Sequence, residues 1–172
     1  MRLDDWPAQG RLHTARLDLE PLRDGHADEL APVLDDPALH EFIGGAPVPV
    51  AALRERYARL AGGRSPDGSQ RWLNWVLRLR ENGRPVGTVQ ATVTEQDGVL
   101  TAEVAWVVAV PFQGRGLATE AARAMVAELR AAGADVVIAH VHPDHTASGA
   151  VARSVGLAAT DVRVDGETRW QG

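Results

Sequence analysis

Apolar and polar positions along this chain repeat with two periods, and the switches between them mark the elements. Leu12 to Pro21 (LHTARLDLEP) alternates at Leu17 and Leu19, the two-residue period of a half-buried strand. His26 to Leu34 reads as a first helix, with Asp24 as its expected N-cap and Asp35-Asp36-Pro37 as its stop. Ala38 to Pro49, with Gly44-Gly45, is an irregular connection. Val50 to Leu60 then places Leu53, Tyr57 and Leu60 at helical spacing. Gly62 to Gly68 is rich in turn formers and is expected to be a mobile loop.

The strand period then returns. Trp72 to Leu79 puts Trp75, Leu77 and Leu79 on one face, and Asn82-Gly83 signals a hairpin into Pro85 to Thr94. Asp97-Gly98 turns the chain into Thr101 to Val108. Leu117 to Ala132 is an alanine-rich helix with Ala121, Met125 and Leu129 on one face, capped at Gly133. Val136 to Val141 is a continuous apolar run, as a buried parallel strand requires. A short helix over Ala147 to Val155 precedes a last hairpin, Leu157 to Arg163 and Glu167 to Gln171, around Asp165-Gly166. The order βααβββαβαββ is a mixed α+β pattern, expected as one domain over residues 1–172.

Composition narrows the chemistry. There is no cysteine, which removes disulfides, thiolate metal sites and a cysteine nucleophile. The first residues lack a signal-peptide core, and no apolar run is long enough to span a bilayer, so a cytoplasmic protein is expected. The formal net charge of -5 argues against a nucleic-acid partner and suits a cationic amine. All 18 basic residues other than histidine are arginine, a bias that carries no functional reading.

The informative stretch is Val104 to Met125 (VAWVVAVPFQGRGLATEAARAM), in which an apolar strand feeds Gln113-Gly114-Arg115-Gly116 and then a helix. The first N–H groups of a helix have no intrahelical partner, and the helix dipole adds positive character, so such a junction binds anions. A P-loop is excluded because the chain has no lysine. A dinucleotide fingerprint is excluded because Thr119 stands where its third glycine belongs.

The remaining pattern, Gln113-x-x-Gly116-x-Ala118, resembles the Q/R-x-x-G-x-G/A loop of the GNAT superfamily of acetyl-CoA-dependent N-acetyltransferases. Thr14-x-Arg16-Leu17-x-Leu19-x-Pro21-Leu22 is similar to the opening of its RimJ/RimL-like branch, and Gly87-Thr88-Val89 to a strand segment of the family. His142-Pro143 through Ser148, followed by Gly156-Leu157, resembles another of its stretches, with His145 in place of the usual asparagine. The resemblance implies the GNAT fold, a mostly antiparallel twisted sheet flanked by helices, with acetyl-CoA as co-substrate. It implies that Gln113, Gly114, Arg115, Gly116, Leu117, Ala118 and Thr119 cradle the pyrophosphate. It also implies that the fourth and fifth expected strands splay apart, with backbone N–H groups at Val108 and Val110 holding the pantetheine arm and polarising the thioester carbonyl, an electrostatic role. His145 would lie beside that arm.

Amine acetylation needs a deprotonated amine, and a free alkylamine is mostly charged at neutral pH. Glu103, interrupting an apolar run, is the candidate base, directly or through water; the alternative is a solvent-facing or arginine-paired carboxylate. Ser148 either bonds the leaving sulfur or satisfies a backbone group at its helix start. Tyr57, the only tyrosine, is expected to pack rather than act as an acid. Phe42, Trp72, Trp75 and the Gly62 to Gly68 loop are candidates to shape an acceptor site, with Trp75 also at a core position. The acceptor is a protein N-terminus or a small amine. Two further readings stay open: a metal site at His140, His142, His145 and Asp144, and a CoA-binding protein without activity. The protein is expected to be a monomer or a homodimer, with the Trp170 strand a candidate dimer edge.

Overall fold

The computed structural model describes residues 2–43 and 47–172, and the side chains of all of these except Phe42 and Ile43. The Gly44-Gly45 connection and the Phe42 side chain therefore lie outside the described residues. The elements are β1 (Leu12–His13), β2 (Leu17–Pro21), α1 (His26–Leu30), α2 (His40–Ile43), α3 (Val50–Ala61), β3 (Gln70–Leu79), β4 (Pro85–Gln96) and β5 (Val99–Val108). After them come α4 (Leu117–Ala131), β6 (Val136–Val141), α5 (Thr146–Ser154), β7 (Ala158–Val164) and β8 (Glu167–Gln171). The strands form one eight-stranded sheet in the order β1-β2-β3-β4-β5-β6-β8-β7. Every neighbouring pair is antiparallel except β5 and β6. No helix among the described residues is long and apolar enough to cross a membrane.

Three expectations are corrected. The single strand over Leu12 to Pro21 is instead two strands folded on each other, with Leu12 opposite Leu19 and a turn that Thr14 closes onto Leu17. The first helix is regular only to Leu30 and continues as a bonded turn through Leu34; its N-cap is Gly25, because the Asp24 carboxylate accepts from the Gly25 N–H instead. β8 lies inside the sheet between β6 and β7, so Trp170 is not at an edge. The open edge on that side is β7, where Val162 and Val164 are exposed. The Gly62 to Gly68 segment is rich in turns, as expected, and is internally bonded: Ser65 and Gln70, and Trp72 and Gly63, are hydrogen-bonded across it, and Asp67 accepts from Ser65 and Ser69.

Alternation along the strands sends side chains to two covered faces. On one, Leu117, Ala121, Met125 and Leu129 of α4 pack on Val89, Ala91, Val93, Val104 and Val108. On the other, Leu30 of α1 and Leu53 and Tyr57 of α3 pack on Val76. An ion-pair network of Glu20, Arg78 and the exposed Glu29 pins α1 there. Arg78 of β3 donates to Glu20 (2.5 Å) and forks onto both oxygens of Glu29 (2.7 and 2.8 Å). Such a bidentate pair is geometrically demanding.

The feature that positions the site is where β5 and β6 part. They pair only at Thr101–Val136, Ala102–Val137 and Glu103–Ile138. β5 then continues to Val108 and β6 to Val141 without pairing, leaving a wedge between them. On its other side, β5 stays paired with β4 up to Gly87–Val108.

Candidate active site

The wedge opens toward the N-terminus of α4. Gly114 and Gly116 both take positive φ (73° and 76°), and Gly116 is the N-cap. A side chain is strained in that conformation, which explains the glycines at this turn. The first bond inside the helix is Glu120 N–H to Gly116 O (3.0 Å), so the N–H groups of Leu117, Ala118 and Thr119 precede the helical ladder. Gln113 lies at the loop's start, and Gly114 through Gly116 are exposed, with Arg115 adding a cation there.

The loop is held from the other end of the sequence. Arg16 donates to the Arg115 carbonyl (2.8 Å) and to Glu120 (2.7 Å), and Thr14 donates to Glu120 (2.6 Å). Burial works against ionising Glu120, but these donors outweigh it and hold its carboxyl below the usual range. Thr14 and Arg16 carry part of the strand pattern in the sequence, yet nothing in that pattern shows that they reach α4.

Backbone alternation fixes what faces the wedge. The Ala109 N–H donates to Val86 O on the β4 side (2.8 Å). Successive residues in an antiparallel pair point their polar groups to opposite sides. The Val108 N–H and C=O therefore point away from β4, into the wedge. Gln113 donates its side-chain amide to that Val108 carbonyl (2.9 Å), which leaves the N–H as the inward-facing group. Gln113 thus ties the loop to β5. Val110 begins a tight turn, Val110–Phe112, and its carbonyl accepts from the Gln113 N–H (3.2 Å).

Glu103 stands at the last paired rung, before the wedge opens. It does not bond an arginine: its Oε1 lies 3.0 Å from His140 Nδ1. Glu103 is about half exposed (55%) and His140 largely buried (16%). Parallel pairing brings them together, since Glu103 faces Ile138 and His140 is two residues further along the same face. The sequence marks His140 only as a metal candidate; its role as partner to Glu103 depends on strand register, which spacing does not reveal.

Ser148 also has a partner other than the one expected. Its Oγ accepts from the Trp106 indole N–H (3.0 Å), a bond from β5 across to α5. A serine hydroxyl has two acceptor lone pairs and its own proton, so Ser148 can still donate. His145 is the N-cap of α5, with Nδ1 accepting from the Ser148 N–H (3.4 Å). Burial and the neighbouring His142 hold its imidazole below the usual range, against the pull of Glu41.

The metal reading finds no support in this arrangement. His140 bonds Glu103, His142 accepts from the Asp144 N–H (3.2 Å), and His145 caps a helix. No three histidine, cysteine or acidic side chains among the described residues are placed to share an ion.

Beside the wedge, on the α3 face, lies a cavity of about 490 Å³. Tyr57 of α3, Asn74 of β3, Thr88 and Gln90 of β4, and Ala105 and Val107 of β5 line it. Glu103 lies on the same face of β5, two residues before Ala105. Trp75 lines the cavity as well, but Trp72 and the Gly62 to Gly68 segment do not. Burial holds the Tyr57 phenol above its usual range, so it remains protonated. The polar floor of Asn74, Thr88 and Gln90 is invisible in the sequence, where those positions read only as the outward side of alternating strands.

A known family matches the sequence, and solved structures match the fold. Residues 16–158 match the family described as "Acetyltransferase (GNAT) domain". No curated protein matches the sequence. Among solved structures, RimL, a ribosomal L7/L12 α-N-protein acetyltransferase in complex with coenzyme A, shares 15% identity with a TM-score of 0.77, covering 95% of this chain and 97% of that one. A ribosomal-protein-S5-alanine acetyltransferase from Vibrio fischeri shares 12% identity at a TM-score of 0.77, covering 95% of this chain and 96% of that one. AAC(6')-Ib, in complex with paromomycin and acetyl-CoA, shares 18% identity at a TM-score of 0.74, covering 91% and 92%. These likenesses are of fold.

Proposed function

The chain belongs to the GNAT acetyltransferase family, and from that premise we propose that it carries an acetyl group from acetyl-CoA to a primary amine held in the α3-face cavity. One observation carries the reading. The strand pair opens beside an anion-binding helix start and next to a cavity large enough for a small acceptor. When bound, acetyl-CoA supplies the thioester acyl group that the amine attacks.

The chain's own groups divide the remaining work. The N–H groups of Leu117, Ala118 and Thr119, with Arg115, receive the pyrophosphate. The Val108 N–H, pointing into the wedge, polarises the thioester carbonyl. Glu103 takes the amine proton, directly or through water, and His140 holds its carboxylate in place. Ser148, fixed by Trp106, offers its O–H to the leaving sulfur. His145 contributes by capping α5 and so setting where Ser148 stands. The acceptor is a peptide N-terminus or a small-molecule amine, in keeping with the RimJ/RimL-like opening of the sequence. A cytoplasmic location and a monomeric or homodimeric state complete the reading.

Isothermal titration with acetyl-CoA tests it. Micromolar binding is expected, and Gly116→Glu should abolish it by placing a charged side chain in the anion site and straining a positive φ. No heat of binding with the intact protein would refute the reading.

A further inference from the structure

The cavity has a chemical character of its own, and the ligand it selects is inferred on the basis of the acetyltransferase reading. Its lining contains no aspartate or glutamate among the described residues. Among the described residues its one permanently charged side chain is Arg56 of α3, at the exposed mouth. The neighbouring Arg54 is taken by Asp28 (2.6 Å), whereas Arg56 has no carboxylate within ion-pair distance among the described residues. The rest of the walls is mainly apolar, including Leu34, Leu53, Tyr57 and Trp75, with His40 among them.

The floor holds a second clue. Asn74 is 8% exposed. Its main-chain carbonyl accepts from the Leu22 N–H (2.9 Å) and from Gln9 (2.6 Å). Its side-chain amide has no partner among the described residues, and it lines the cavity. Its side-chain polar atoms are not sealed off from solvent: the amide opens onto the cavity, where a ligand's peptide unit can take the place of solvent. Asn74 lies on one rung with Gln90 and Ala105, so the rung leads from its amide toward the Glu103 side of β5.

We propose that the acceptor is an amine of dipeptide size with an apolar body, whose internal amide bonds Asn74 and whose remote carboxylate pairs with Arg56. The volume fits a ligand of that size. An Asn side chain can both donate to and accept from a peptide unit. An arginine can grip a carboxylate through two parallel bonds. A polycation such as a polyamine or an aminoglycoside meets the opposite environment: each added ammonium would be desolvated beside Arg56 without a counter-charge.

The test is steady-state kinetics of the full chain with acetyl-CoA and Leu-Ala, Leu-Ala amide, spermidine and an aminoglycoside, with acetyl-CoA binding measured alongside. The expected kcat/KM for Leu-Ala exceeds that for its amide by about tenfold or more, the scale of one charge-assisted pair. In Arg56→Gln that ratio falls to about one. Asn74→Leu, close in volume, is expected to lower kcat/KM for both peptides while acetyl-CoA binding is retained. Spermidine or the aminoglycoside as the better substrate would overturn the inference, as would a carboxylate-to-amide ratio that Arg56→Gln leaves in place. Acetyl-CoA binding without turnover of either peptide would overturn it too. Loss of acetyl-CoA binding by the wild-type protein would instead fell the acetyltransferase reading itself, so the two failures are distinguishable.

Discussion

His140 determines what Glu103 can do. A carboxylate that is half exposed is free to rotate, and the bond to His140 fixes it at the rung where the strands part. Glu103→Gln removes the proton acceptor but keeps the shape. It is expected to lower kcat about tenfold or more, with the acetyl-CoA dissociation constant unchanged. An unchanged kcat would take Glu103 out of the mechanism. His140→Ala acts through position, so it should shift the pH profile of kcat/KM as well as lower it. A second group of residues governs stability. His26 is almost fully buried; burial holds its imidazole below the ordinary value of 6.5, against the attraction of Glu20. In Glu20, burial alone would raise the pKa, but the Arg78 bond and charge outweigh it, so the carboxyl titrates below 4.5. In both cases the unfolded chain binds more protons, so stability is present above the unfolded value and is lost as pH falls. Denaturant midpoints should therefore decline below about pH 6.5 and again below about pH 4.5. A flat profile from pH 7 to pH 5 would show that His26 is not held neutral.

At the scale of elements, periodicity was legible where neighbours in sequence are neighbours in space. β3 to β5, α4, β6 and β8 fall within a few residues of where alternation and helical spacing place them. The misreadings are of another kind. The alternation at Leu17 and Leu19 says nothing of a fold-back at Thr14 to Arg16, and β8 enters the sheet out of chain order. The same limit applies to the site. The glycine loop is local and legible, whereas the Glu103–His140 pair, the Trp106–Ser148 bridge and the cavity floor arise from register between distant strands. Gly87 interrupts the apolar pattern of its strand, and the structure supplies a steric reason. A Cβ there would overlap the Val107 carbonyl of β5, beside the wedge. Gly87→Ala must push β4 and β5 apart, at a cost of roughly 1–3 kcal/mol. Thermal unfolding should register this as a loss of about 2–12 °C. A variant as stable as the parent would mean that the strands yield there freely.

For the molecule as a whole, we propose that residues 1–172 act as one cooperative unit. The eight-stranded sheet runs through most of the chain, and helices from both halves cover it. Calorimetry should then show a single transition with equal calorimetric and van't Hoff enthalpies. Acetyl-CoA at about 100 times its dissociation constant should add roughly 2.7 kcal/mol by mass action, and Gly116→Glu should cancel that gain. Two resolved transitions would divide the molecule. The clamp of Thr14 and Arg16 on Glu120 has a further consequence, for recombination. A chimera that carries residues 104–125 of this chain into a relative leaves behind the hydroxyl and guanidinium that neutralise an acid in the first turn of the transplanted helix. The imported carboxylate would then face an incoming polyphosphate with its charge uncompensated. The proposed cofactor loop is therefore not a transferable cassette: its working unit includes the first hairpin, and grafts should succeed only when both segments travel together.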